Sequence, residues 1–290
     1  MKQREQPNFG PYRKWPAIKE FSDISAKAFE IYHKKLPSNI LAKFTPTQHL
    51  FARFLYAAET TSFSIRLLTS WRFLLQALAL ARVRLEQTIV SSYLIHEKQE
   101  VALDPFVRYV SIGRYRHAKA AVQEPLLAVH LPSNMDIEKM RLEAVGAQQK
   151  LDSDFEPASE RFQRKWTKLE LLPMAQRRDM LATRGHKVSS HRLELDYLSL
   201  YKAASSIVHS DCDSLSYNYL DIFFFDKDQT GILMPKPSWA VLVASFCAHH
   251  DIVQLFEILN WLRIESEAEY VDLGKQWSAI TGLYIADKTK

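Results

Sequence analysis

Tyr201, Ser205 and His209 recur at a spacing of four within the stretch 190–212. On a helix that spacing stacks a phenol, a hydroxyl and an imidazole along one face. Leu193, Tyr197, Leu200, Ala204 and Ile207 form an apolar stripe beside them. A polar ladder next to such a stripe makes either a buried hydrogen-bonded network or part of a site. A second pair lies upstream in ARVRLEQTIVSSYL, where Arg82 and Glu86 share a helix face and can form an ion pair, while Arg84 points elsewhere. Exposed, that pair contributes only about 0.3–0.5 kcal/mol. Partly buried among Leu78, Ala81, Val83, Leu85 and Ile89, the guanidinium could instead hold a phosphate or a carboxylate.

The elements that must position these residues are read as helices. The chain has 290 residues with only seven isolated glycines, so no phosphate cradle of the GxGxxG or GxxxxGK[ST] kind is possible. Leu, Ala, Arg, Glu and Gln run through long stretches that favour helix. The expected fold class is an all-α multi-helix bundle with one small β-hairpin insertion near 221–234. A first helix is expected over 23–36. Thr45-Pro46 caps the next, over 46–60, and a break at Thr60-Thr61-Ser62 precedes a long helix over 62–97. Further helices are expected over 105–122, 134–151 (after a Ser133/Asp136 cap), 158–171, 173–183, 190–209, 237–263 and 266–280. The hairpin reading rests on the two apolar runs of IFFFDKDQTGILM around a polar turn. Domain organisation follows: residues 1–44 as an arm and first helix, 45–220 as the bundle, and 221–290 as hairpin and C-terminal helices packing on it.

Charge is unevenly spread. From Arg161 to Arg192 nine Lys/Arg face only Glu170 and Asp179, whereas six acids against Arg263 lie between Asp251 and Asp272. Arg161, Arg164, Lys165, Lys168, Arg177 and Arg178 are therefore candidate nucleic-acid contacts, with solvated helix faces as the plainer alternative. The acidic C-terminal part could meet a basic partner or fold back on the middle of the chain.

Other constellations carry less. Adjacent histidines in His249-His250-Asp251 point about 100° apart on a helix and cannot chelate together, so no metal and no cofactor is expected. Cys212 and Cys247 make neither a disulfide framework nor a zinc signature, which fits a reduced, cytoplasmic setting. Asp211 and Asp213 would raise the thiol pKa of Cys212, against a nucleophilic role. The N-terminus lacks the apolar core of a signal peptide, and Arg66, Arg72, His249, His250 and Asp251 interrupt the most apolar stretches, so no membrane span is expected.

Arg82 and Glu86 on a Leu-rich helix, followed much later by Tyr201, Ser205, Val208, His209 and Ser210, resemble the bacterial helical family catalogued as domain of unknown function 5677. The resemblance covers roughly residues 45–220, with Arg108-Tyr109 and Lys165-Trp166 as softer matches. It is loosely similar in turn to HEPN domains, helical bundles of prokaryotic defence systems whose active members cleave RNA without metal through an Arg-x4–6-His motif. The chemistry that resemblance implies gives the 2′-hydroxyl proton to His and the phosphate charge to Arg. Here Ala204, Ala203 and Lys202 stand five, six and seven before His209, so Arg82 would have to supply the cation. Two functional classes therefore stand. One is a defence-linked protein that binds RNA, with cleavage by His209 and Arg82, alongside Glu86, Tyr201 and Ser205, as its catalytic form. The other is a non-catalytic interaction, sensor or antitoxin-like module meeting a protein partner, or itself, through the 221–234 hairpin and the C-terminal helices.

Overall fold

The computed structural model describes residues 16–71, 73–124, 135–159, 161–185, 192–201, 204–205, 225–227, 233–235 and 237–288. The helices are α1 (Pro16–Lys35), α2 (Ser38–Leu41), α3 (Pro46–Ser70), α4 (Leu74–His96), α5 (Leu103–Gln123), α6 (Ile137–Leu151), α7 (Leu171–Gly185), α8 (Leu193–Asp196), α9 (Pro237–Trp261) and α10 (Glu267–Lys288). The chain divides into two compact units, residues 1–95 with 174–290, and residues 96–173.

In the first unit the organising element is α9. It packs against α1, α3 and α10, and it is apolar almost all round, as a helix at the centre of a bundle must be. Among the described residues, Ser238–Trp261 is the one segment long and apolar enough to cross a membrane, yet 83% of its most apolar window is buried inside the protein. Cys247, Asp251, Gln254 and Glu257 interrupt that apolar surface at spacings of three and four, which puts them on one face. That face meets Arg84, Ser91 and Ser92 of α4 in increasing order, so the two helices run parallel along a shared polar seam.

Local signals set several boundaries. Thr45 accepts from Gln48 N at 3.3 Å while the Gln48 side chain accepts from Thr45 N at 2.8 Å, a reciprocal cap with Pro46 at the first helical position. Asp136 caps α6 by accepting from Lys139 N at 2.8 Å. The expected break at residues 60–62 is absent: α3 runs unbroken to Ser70, and α4 begins at Leu74. The reason is local. Thr60, Thr61 and Ser64 each donate to the carbonyl four residues back, at 3.0, 2.8 and 3.0 Å, and Ser62 turns inward to Asp251. The hydroxyls are absorbed by the helix instead of ending it.

The expected 190–209 helix is not regular over its described part. α8 passes into a π-helical turn over Tyr197–Tyr201, and Ala204 and Ser205 are helical again. The hairpin expectation is corrected as well. The described residues of that region contain only two three-residue segments, β1 (Phe225–Lys227) and β2 (Leu233–Pro235), with Phe225 opposite Pro235. A contact of that length builds no layer and supports no independent hairpin, so the fold is all-helical without a β insertion as a structural component. Phe223 and Phe224 lie outside the described residues.

The second unit is built on α5 against α6, around Ile112, Tyr115, Ala144 and Ala147. The basic helix expected over 158–171 does not form; a single 3-10 turn, Pro157–Ser159, precedes irregular backbone up to α7. Tertiary partners take the groups a helix would have used. Gln163 N donates to the Gln148 side chain at 3.1 Å, and the Arg164 carbonyl accepts from Tyr109 OH. Phe162 packs edge-on to Tyr115 at 5.6 Å and Trp166 edge-on to Phe106 at 5.2 Å.

Candidate functional site

The Arg82–Glu86 ion pair anticipated from sequence forms within the first unit. Arg82 Nε donates to Glu86 Oε1 at 3.1 Å, and Tyr201 OH donates to the same oxygen at 3.0 Å. The Arg82 guanidinium also lies over the Tyr201 ring, 4.9 Å from its centre, a geometry in which ring and cation attract. Tyr197 stacks on Tyr201 at 4.4 Å, a contact made by the π-helical turn they bracket. Arg82 and Glu86 are partly buried, with side chains 17% and 34% exposed.

Electrostatics gives each group its protonation state. Burial, then the Glu86 carboxylate, pushes the Tyr201 phenol up to about 12, so it keeps its proton at neutral pH and serves as a donor, not a base. Burial works against the charge of Arg82, but Tyr201 and Glu86 outweigh it and raise the pKa further. The trio is thus a clamped, fully protonated donor set around one carboxylate. Ser205 is half-buried in the short helical stretch after the π-turn, and His209 lies outside the described residues.

Beneath this trio lies a constellation that local spacing did not disclose. Arg84 is fully buried and donates from Nε to Asp251 Oδ1 at 2.9 Å, from Nη1 to Thr88 at 2.7 Å and from Nη2 to the His250 carbonyl at 3.0 Å. Asp251 also accepts from Ser25 of α1 at 2.5 Å and from Ser62 of α3 at 2.6 Å. Four helices therefore meet on one carboxylate. A second buried cation, Arg178, is bonded to Glu257 and, at 3.0 Å, to Asp179. Glu257 accepts from Ser92 as well. Asp179 in turn accepts from Leu193 N at 3.1 Å and Glu194 N at 3.0 Å. It thereby anchors the start of α8, whose continuation carries Tyr201 to Glu86. Burial opposes the charge of Arg178, and Glu257 and Asp179 outweigh it.

Only the residues on α9 carry a signal in the sequence that could have pointed to this interior. Asp251, Gln254 and Glu257 stand at helical spacing in a stretch too apolar to present a solvent face, so they required buried partners.

The basic candidates separate by unit. Arg161, Arg164, Lys165 and Lys168 are exposed on the irregular stretch of the second unit. Lys165 reaches Glu170 at 2.5 Å, with the two side chains 61% and 71% exposed. In the first unit Arg177 is half-buried, and Arg178 is consumed by its carboxylates and offers nothing to a ligand. His250 is buried with Nε2 3.1 Å from Asp196, and His249 stacks on Trp277. Among the described residues no group of three His, Cys, Asp or Glu could hold a metal ion.

Fold and site together define an all-helical bundle with a cross-braced polar interior and a clamped Arg–Glu–Tyr trio near its surface. The chain belongs to the family of unknown function DUF5677, whose model matches residues 48–229. That match takes in Arg82, Glu86 and Tyr201 and stops short of α9. No curated protein and no solved structure matches the chain.

Proposed function

We propose that the protein is a prokaryotic, defence-linked nucleic-acid-binding protein of the cytoplasm, with RNA foremost, and that residues 161–168 make the contact. The observation that carries this reading is the set of exposed cations Arg161, Arg164, Lys165 and Lys168 on a segment held by its own aromatic residues. Phe162, Trp166 and the Arg164 carbonyl fix the backbone, so contact adds little cost for ordering the segment itself, leaving only the stems of the cations to be ordered. Lys165 remains available to a phosphate, because its pairing with Glu170 is highly exposed and correspondingly weak. The defence link rests on the HEPN-like resemblance of the Arg82/Glu86 and Tyr201/Ser205/His209 pattern.

Catalysis is not part of the proposal. Arg82 is engaged by Glu86 and Tyr201, and Tyr201 holds its proton, so cleavage would fall wholly to His209. The test of binding is a salt titration with single-stranded RNA. The Arg161→Glu, Arg164→Glu, Lys165→Glu, Lys168→Glu variant should bind far more weakly, with a shallower dependence of log K on log salt in what remains. Unchanged affinity and slope would remove the reading.

One observation favours the interaction-module reading. Leu67, Trp71 and Phe73 stand 39%, 63% and 53% exposed at the junction of α3 and α4, and large aromatic residues are enriched at protein interfaces. Concentration-dependent sedimentation that becomes monomeric in Trp71→Ser, Phe73→Ser would support it.

A further inference from the structure

A cleft in the first unit, about 680 Å³ in volume, lies where the start of α8 faces α9 and α10. It belongs neither to the Arg82 trio nor to the basic segment. That volume is in the range of small-molecule sites. Three aromatic rings along it are already fixed. Trp277 Nε1 donates to the Ser245 carbonyl at 3.0 Å, and its ring stacks on His249 at 4.3 Å with the planes 21° apart. Tyr270 packs edge-on against Phe256 at 5.2 Å. Two cations stand along the same cleft, Lys275 and Arg192, both exposed; Arg192 leans on Glu194 at 2.6 Å. The one carboxylate among the described lining residues is Asp196, 3.1 Å from His250 Nε2. Gly274 also lines the cleft, and a Cβ there would meet nothing within 4 Å.

Flat π-faces, two cations and one tethered carboxylate are a combination that a purely apolar ligand would leave unused. We propose that this cleft binds a nucleoside phosphate, with the base on the aromatic wall, the phosphate at Lys275 and Arg192, and ribose hydroxyls donating to Asp196. Stacking is tolerant of base identity because every base has a π-face, so the phosphate and the ribose set the specificity. The ligand is a free nucleotide or the terminal nucleotide of an RNA; the chemistry is the same. The site is independent of the binding reading above, since all its residues belong to the first unit and residues 161–168 belong to the second.

Titration calorimetry on the full chain tests this with the four ribonucleoside 5′-monophosphates, adenosine and inorganic phosphate. At least one monophosphate should saturate, and adenosine and phosphate alone should each bind at least about tenfold more weakly, the loss expected when one charge-assisted contact or the stacked base is missing. Gly274→Leu fills the cleft from a helical position and should abolish binding with an unreduced melting temperature. Lys275→Ala should weaken binding about tenfold, with unchanged melting. Displacement by a short oligoribonucleotide assigns the site to an RNA end; its absence assigns the site to the free nucleotide. The Arg164→Glu, Lys165→Glu, Lys168→Glu variant should keep full nucleotide affinity, so loss of RNA binding and loss of the cleft are told apart. No saturation by any monophosphate up to about 1 mM, equal binding of adenosine, or unchanged affinity in Gly274→Leu would overturn the proposal.

Discussion

Arg84 and Asp251 stand 167 positions apart in the chain and meet at 2.9 Å with neither side chain exposed. An isolated buried charge is very costly, and a buried pair is tolerated only when its remaining hydrogen-bonding positions are filled. Thr88 and the His250 carbonyl fill them on the guanidinium, and Ser25 and Ser62 fill them on the carboxylate. Because the partners come from α1, α3, α4 and α9, the network ties four helices to one carboxylate.

Asp251→Leu and Arg84→Met should each destabilise the protein by about 3–5 kcal/mol, since each leaves the other charge buried and unpaired. The Arg84→Met, Asp251→Leu double variant should be less damaging than either single change, because no stranded charge remains. Urea unfolding of the four proteins measures this. Additive losses would mean that the two residues act separately.

The same pair marks how far the sequence could be read. Thr45-Pro46 and the Arg82–Glu86 spacing are local signals, and each is realised at its site, whereas the expected Ser133/Asp136 box is displaced: Asp136 is itself the cap of a helix that starts at Ile137, and Ser133 lies outside the described residues. For Arg84 the local spacing shows only that it points away from that pair, because its partner is on a helix no local window reaches. Asp251, beside two histidines that cannot chelate together, has Gln254 and Glu257 at helical spacing after it, and these three outline a buried seam. The stretch 158–171 has helical composition, but Phe162, Gln163, Arg164 and Trp166 are taken by α5 and α6, which local propensity cannot register. The first unit is organised around α9 for the same reason: burial is a tertiary property.

Arg178 sits among the cations of the basic run yet should behave as a core residue. Arg178→Glu should cost several kcal/mol by placing a third carboxylate beside Glu257 and Asp179. Arg164→Glu, exposed on its loop, should shift stability by no more than about 0.5 kcal/mol. Thermal melts of the two variants separate structural from surface arginines before any binding assay is interpreted. Comparable melting would contradict the burial of Arg178.

Cys247 is fully enclosed, and burial, reinforced by the Asp251 charge, pushes its thiol up to about 12. In a Cys212→Ser background the folded protein should resist a thiol-specific disulfide reagent at pH 8 and react fully in denaturant. The raised pKa also fixes a sign. The unfolded thiol releases its proton from about pH 9 while the folded one retains it, so stability present below that pH is lost as pH rises towards 12. Cys247→Ala should remove this part of the alkaline decline, whatever constant cost the smaller side chain imposes.

Tyr201 decides whether the clamped trio is scaffold or site. Its phenol donates to Glu86 at 3.0 Å and titrates near 12 instead of near 10. Between those values the unfolded chain binds fewer protons than the folded one, so stability should fall with rising pH across that window. Tyr201→Phe keeps the ring under Arg82 but removes the hydroxyl. It should cost about 0.5–1.5 kcal/mol at pH 7, as for one lost hydrogen bond, and should flatten the decline between pH 10 and 12. Glu86→Gln should lower the phenol titration, read from tyrosinate absorbance, because it removes the nearby negative charge. Should RNA be cleaved, these two variants should slow cleavage only as far as they unfold the protein, whereas His209→Ala should abolish it in a fully folded chain. A Tyr201→Phe protein that melts like the wild type yet loses cleavage would place the phenol in the reaction and end the scaffold reading.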